Sequence, residues 1–247
     1  MTDIASLWDF DDPSGSETRF RTAADAAEGT ERLVLLTQVA RCLGLQERYA
    51  EAHTVLDDLD TNASDEVAVR LALERGRLLN SSGDPAAALP LFRSAVAIAD
   101  AAGLEALAID ALHMEAIAAP VEQRLPLNEQ ALTRARASRD AAARDWDASL
   151  LNNIGMCHVD NGDLGAAMAA FTEALAALER IGSPGRLRVG RWMVAWVLRL
   201  QGREAEALAA QRALKAELDG LGESDPYVDE ELALLDPGNL SPPPPGT

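Results

Sequence analysis

The sequence predicts an all-α chain, a right-handed superhelical α-solenoid of about twelve helices built from helix-turn-helix repeats. Three observations lead there. Alanine and leucine, 47 and 36 residues of 247, make up a third of the chain, while aromatics are only 4%. That balance favours helices and leaves too few β-branched and aromatic side chains for a sheet protein. A helix-turn-helix pattern recurs with the same small and aromatic positions, and the two ends read as half-copies, as the outer layers of a stacked array require.

Taken in order, residues 1–29 are expected to form an acidic segment and a capping half-repeat, with Phe20 and Ala23 on the inner face of a lone helix in DPSGSETRFRTAADAA. Five repeats follow over 30–220. The first, LTQVARCLGLQERYAEAHTVLDDL, carries Ala40, Tyr49, Ala52 and Leu56 in the shared positions. The second places Gly76, Gly83, Ala88, Phe92 and Ala95 at the offsets of Gly155, Gly162, Ala167, Phe171 and Ala174 in the fourth. In both, a turn glycine can end the first helix in a left-handed cap, and an aspartate, Asp84 or Asp163, can accept the free amides that start the second. The third copy, GLEALAIDALHMEAIAAPVEQRLPLNEQALTRARA, is degenerate, and the fifth runs from Arg191 through Ala213 with Ala195, Gly202 and Ala207. Pro90 and Pro126 should kink second helices or shift their start. Residues 221–236 supply a capping helix at Pro226 to Leu235, and 237–247, PGNLSPPPPGT, cannot pack and should be an extended, disordered tail.

These positions resemble those of the tetratricopeptide repeat (TPR) family: a small residue midway along the first helix, a turn glycine, then alanine and aromatic positions on the second. The resemblance covers roughly residues 30–220. Offsets between copies run 36, about 36, about 43 and 40 residues, longer than the family's usual unit, so helices or linking turns must be extended.

Charge and motif content exclude several functions. With 22 basic against 40 acidic residues and a net charge of −18, the chain would be repelled by nucleic acid. No apolar run reaches membrane-spanning length, and the acidic MTDIASLWDFDD start lacks a signal-peptide core, so a cytoplasmic protein is expected. No phosphate loop, HExxH or zinc spacing occurs, and no metal or cofactor is expected. Cys157, His158 and Asp160 contain a nucleophile, a base and an acid. Neighbouring helical residues point about 100° apart, so Cys157 and His158 cannot pair face to face. Cys42 and Cys157 read as small buried hydrophobes, and no enzyme is supported.

The resemblance implies that first helices line a concave groove for a peptide or protein partner. The groove positions are then Arg70, Glu74, Arg77 and Asn80 in the second copy, Asn152, Asn153, Met156 and Asp160 in the fourth, and Trp192, Trp196 and Arg199 in the last. Asn153 matches a groove asparagine that hydrogen-bonds ligand backbone in several relatives of the family. From Arg180 to Arg203 there are six arginines, Arg188 and Arg191 among them, and no acid. Two readings are open: a receptor for an acidic peptide, with Trp192 and Trp196 beside it, or core tryptophans under a solvated arginine face. The N-terminal Trp8 and Phe10 likewise either seal the first layer or fill a basic groove as a pseudo-ligand. A non-catalytic TPR adaptor or scaffold is therefore expected, its partner segment acidic if the arginine run is its receptor; the alternative is a sensor that binds a short peptide signal and changes conformation. The short final half-repeat leaves an end layer that a homodimer could cover.

Overall fold

The computed structural model describes residues 2–236; the proline-rich stretch at 237–247 lies outside the described residues. The described residues form helices and no strand. The chain divides into two compact units, Met1–Trp146 and Asp147–Thr247.

The first unit holds α1 (Ile4–Leu7), α2 (Pro13–Ala26), α3 (Gly29–Leu45), α4 (Tyr49–Asp57), α5 (Asp65–Ser81), α6 (Pro85–Ala102), α7 (Glu105–Ala118), α8 (Val121–Ala137) and α9 (Ala141–Arg144). Consecutive helices pack as hairpins, and the first helices α3, α5 and α7 also lie side by side. The second unit holds α10 (Asp147–Asp160), α11 (Leu164–Ile181), α12 (Pro184–Leu200), α13 (Glu204–Leu221) and α14 (Pro226–Leu235), again packed in succession.

Local chemistry sets these boundaries. Gly83 and Gly162 end first helices with φ of 94° and 76°, where a side chain would strain the backbone. Asp84 and Asp163 then accept the amides of Ala87 and Ala166 at 3.0 and 2.9 Å. The first repeat has Glu47 at that turn position, held at φ 59°.

Packing follows from small residues facing rings. Ala52, Ala88 and Ala167 are fully buried, and Phe92 and Phe171 fill the space beside them. Each such ring contributes about 1.5–3 kcal/mol on burial. Gly76 and Gly155 let the first helix touch the ring edge: a Cβ there would lie 2.4 Å from Phe92 and 2.5 Å from Phe171.

One expectation about elements, that Pro90 and Pro126 could shift the start of their helices, is corrected. Neither Pro90 nor Pro126 ends or re-starts its helix; α6 and α8 each begin five residues earlier and run through. Both prolines are exposed, so the carbonyl that loses its amide partner faces water. The long offset after the third copy goes with an extended link, one of the two forms expected from its length: α9 is inserted between α8 and α10.

Candidate binding site

The 36-residue offset places Gln38, Glu74 and Asp110 at one position of α3, α5 and α7, and Arg41, Arg77 and His113 one turn later. Residues three apart share a helix face, so side-by-side helices bring these six onto one surface of the first unit. Gln38, Glu74 and Asp110 are buried, at 2%, 2% and 6% exposure. Buried polar groups are kept only where they are paired, and here they are.

Arg77 does most of the pairing, donating to the carboxylates of Glu74 on its own helix and Asp110 on α7. Burial would lower the Arg77 pKa, but Asp110 and Glu74 outweigh it and hold the guanidinium above its ordinary value. Burial would raise Asp110, yet the Arg77 and Arg41 charges keep its carboxyl below the usual range. The cluster is therefore charged on both sides. His113 sits beside it, its ring 5.2 Å from that of Trp146 and its Nδ1 buried without a hydrogen-bond partner among the described residues. Burial pushes the His113 pKa down to about 4; Asp110 opposes this, and Arg77 and Arg41 reinforce it.

Arg41 differs from Arg77 in having no carboxylate paired with it among the described residues; its contacts are ring faces, 5.3 Å from the Trp8 centroid and 5.6 Å from that of Phe10. Burial lowers its pKa, and the Arg77 charge adds to that more than Glu74 or Asp110 offsets singly. A cation over a ring gains about 0.5–2 kcal/mol, whereas each hydrogen bond to a charged partner is worth about 1.5–3 kcal/mol. Trp8 and Phe10 thus lie beside Arg41 without an ion pair to it, and the carboxylates that act on it, Glu74 and Asp110, are both engaged by Arg77.

Those rings belong to the chain's first residues, which run along α3. The Thr2 amide donates to Glu31 at 2.5 Å, and Trp8 Nε1 donates to Gln38 Oε1 at 3.2 Å. Trp8 and Phe10 stack at 4.7 Å, and Arg19 Nε donates to the Leu7 carbonyl at 2.9 Å. Ile4, Leu7 and Trp8 also pack on the core around Phe20. The segment thus covers the first layer and lies over Gln38 and Arg41 at once.

The groove positions named from sequence separate into two sets. Arg70 and Arg77 lie in the first unit, Arg70 paired to Glu66 at 2.9 Å. In the second unit Asn152 and Asn153 are partly buried on α10. Met156 and Trp196 pack with Phe171 and Val197, and Trp192 packs against Leu214, Leu218 and Val228. The two tryptophans, stacked at 5.8 Å, are partly buried against the cores of their unit.

Arg188, Arg191 and Arg199, expected to form a locally positive patch, each meet a carboxylate. Arg188 meets Glu223 at 2.8 Å and Glu217 at 3.7 Å, Arg191 meets Glu217 at 2.8 Å, and Arg199 meets Glu231 at 2.7 Å. Arg180 and Arg203 are likewise paired, to Asp147 and Glu206. The acids that neutralise the run come largely from the chain after α12. Cys42 is buried in the first core, which pushes its thiol up to about 12, whereas Cys157, expected to be buried, is only partly so; neither is in a disulfide among the described residues.

Sequence reasoning missed Gln38, Arg41, Asp110 and His113. The signal was available: applying the 36-residue offset to Glu74 and Arg77 in both directions gives all four.

Residues 148–177 match the model of the tetratricopeptide repeat family. No curated protein matches the sequence. Among solved structures, the chain is similar to BtubC from P. vanneervenii, at 16% identity and a TM-score of 0.62, over 92% of this chain and 95% of that one. It is similar to the PlcR protein of Bacillus thuringiensis, solved in complex with the peptide PapR7 and DNA, at 13% identity and a TM-score of 0.56, over 92% and 84%. It is also similar to a signal transduction ATPase with numerous domains and a tetratricopeptide repeat sensor, PH0952 from Pyrococcus horikoshii, at 11% identity and a TM-score of 0.67. That match covers 91% of this chain but only 36% of the other, so the chain spans about a third of that protein's length. With a family match on the α10–α11 hairpin and the same hairpin recurring through the described residues, the chain is a tetratricopeptide-repeat protein by fold.

Proposed function

We propose that the protein is a non-catalytic binding module that holds a peptide or protein segment on the first-helix face of its first unit. The observation that carries this is the polar surface from Gln38 to His113. Six polar or charged residues converge where apolar packing would be cheaper, and Arg41 has no carboxylate paired directly with it among the described residues. Arg77 lies within that surface, paired to Glu74 and Asp110, and Arg70 lies one turn before Glu74 on α5, paired to Glu66. Asn152, Asn153 and Met156 are the corresponding first-helix positions of α10, in the second unit. Arg188, Arg191 and Arg199 are committed to internal carboxylates, so an acidic partner is better served at Arg41.

Selecting a random-peptide display library on the full chain tests the reading. Retained peptides should lose most of their affinity for an Arg41→Gln, Arg70→Gln double variant and keep it for Arg191→Gln. Equal binding to all three proteins would overturn it.

A second reading, a sensor that changes conformation on binding a short peptide, is favoured by the likeness to PlcR with its bound peptide and to PH0952 with its repeat sensor. Small-angle scattering separates the two. A sensor changes its overall dimensions when a selected peptide is added, and an adaptor does not.

A further inference from the structure

We infer that the N-terminal stretch Trp8–Phe10 is an internal occupant of a recognition point centred on Arg41, and that the external ligand is a segment pairing an aromatic side chain with a carboxylate. This rests on the first-helix face of the first unit being the binding surface, and it adds the chemistry of the ligand and the control of access.

The geometry is specific. The segment follows α3 for three helical turns, touching Glu31, Gln38 and Arg41 with Thr2, Trp8 and Phe10 in register. Trp8 and Phe10, which follow the short helix α1, place on Gln38 and Arg41 a hydrogen bond and ring contacts that side chains of an external ligand could make instead. Phe10 holds Arg41 while itself 58% exposed, and a core residue would be buried instead. The aspartates of the segment are spent elsewhere or face water. Asp12 caps α2 through the Gly15 amide, and Asp9 accepts the Asp11 amide. The internal occupant therefore supplies rings but no carboxylate to Arg41. A ligand that brings both outcompetes it, because guanidinium pairs a carboxylate with its N–H edge while its faces stack on rings.

The test uses the full chain and a synthetic peptide with the sequence of residues 3–12, DIASLWDFDD, as probe. Phe10→Ala removes the exposed ring and should raise affinity for the probe by about tenfold, as expected when a site is freed from an internal competitor. Adding Arg41→Gln should abolish that gain, and replacing both aromatics of the probe by alanine should abolish binding. Melting by circular dichroism confirms that each variant is folded. An independent readout needs no variant: saturating probe should speed hydrogen exchange over residues 4–10 of the unsubstituted chain. No gain from Phe10→Ala, a gain that survives Arg41→Gln, or unchanged exchange over 4–10 would each overturn the inference. If library peptides still bind the first-helix face without displacing residues 4–10, the inference fails and the binding-surface reading stands. If they bind elsewhere, the binding-surface reading fails.

Discussion

Arg77 lies between two buried carboxylates, and that fixes the sign of changes around it. Replacing it with methionine keeps most of the volume but strands Glu74 and Asp110 as uncompensated charges, costing about 3–5 kcal/mol, the range for breaking a buried pair by removing one partner. Urea denaturation reads this directly, and a loss below about 1 kcal/mol would show that the cluster is solvated. His113 gives a pH signature. Its folded pKa is depressed to about 4 from 6.5, so the folded state binds fewer protons than the unfolded chain between those values. Stability from this residue is complete above pH 6.5 and lost as pH falls toward 4. His113→Gln should flatten the stability profile across that window, leaving the fall below pH 4 that comes from carboxylates such as Asp110. At this scale Glu74 and Arg77 were legible from their helical position. Asp110 and His113 follow from the same 36-residue offset, but Ala119 and Pro120 stand where the third copy would have its turn glycine, which hides that offset.

Helix pairs depend on close approach at a few points, so glycine substitutions should change sign with position. Gly76→Ala gains about 0.8–1 kcal/mol of helix propensity but drives a Cβ into the buried Phe92 ring, and overpacking of that kind costs about 1–3 kcal/mol. The net expectation is destabilisation, and the same holds for Gly155 against Phe171. Gly220, helical in α13 with nothing near its Cβ position, should gain stability as alanine. Thermal melts of the three variants check the pattern; Gly76→Ala melting above the parent would mean that the α5–α6 contact is looser than described. Turns, caps and packing residues were readable because each depends on a few neighbours in sequence. The short α9 was not, since Ala141–Arg144 has no periodicity to recognise.

For the whole molecule the net charge of −18 mattered less than its distribution, and the distribution mattered less than the pairing. A run of six arginines followed by an acidic stretch was visible in sequence. That Glu217, Glu223 and Glu231 would meet those arginines depended on α13 and α14 folding back on α12, which spacing alone did not decide. Arg41 instead, with no carboxylate paired to it among the described residues, lies on α3 against Trp8 and Phe10. Among the described residues no helix is long and apolar enough to cross a membrane, and no group of three His, Cys, Asp or Glu residues could hold a metal ion. The central claim is that the first-helix face of the first unit receives a peptide. Hydrogen exchange of the full chain, with and without a library-selected peptide, tests it most directly. Slowed exchange concentrated in α3, α5 and α7 is the expected result; protection confined to the second helices α4, α6 and α8, or to the second unit, would contradict it.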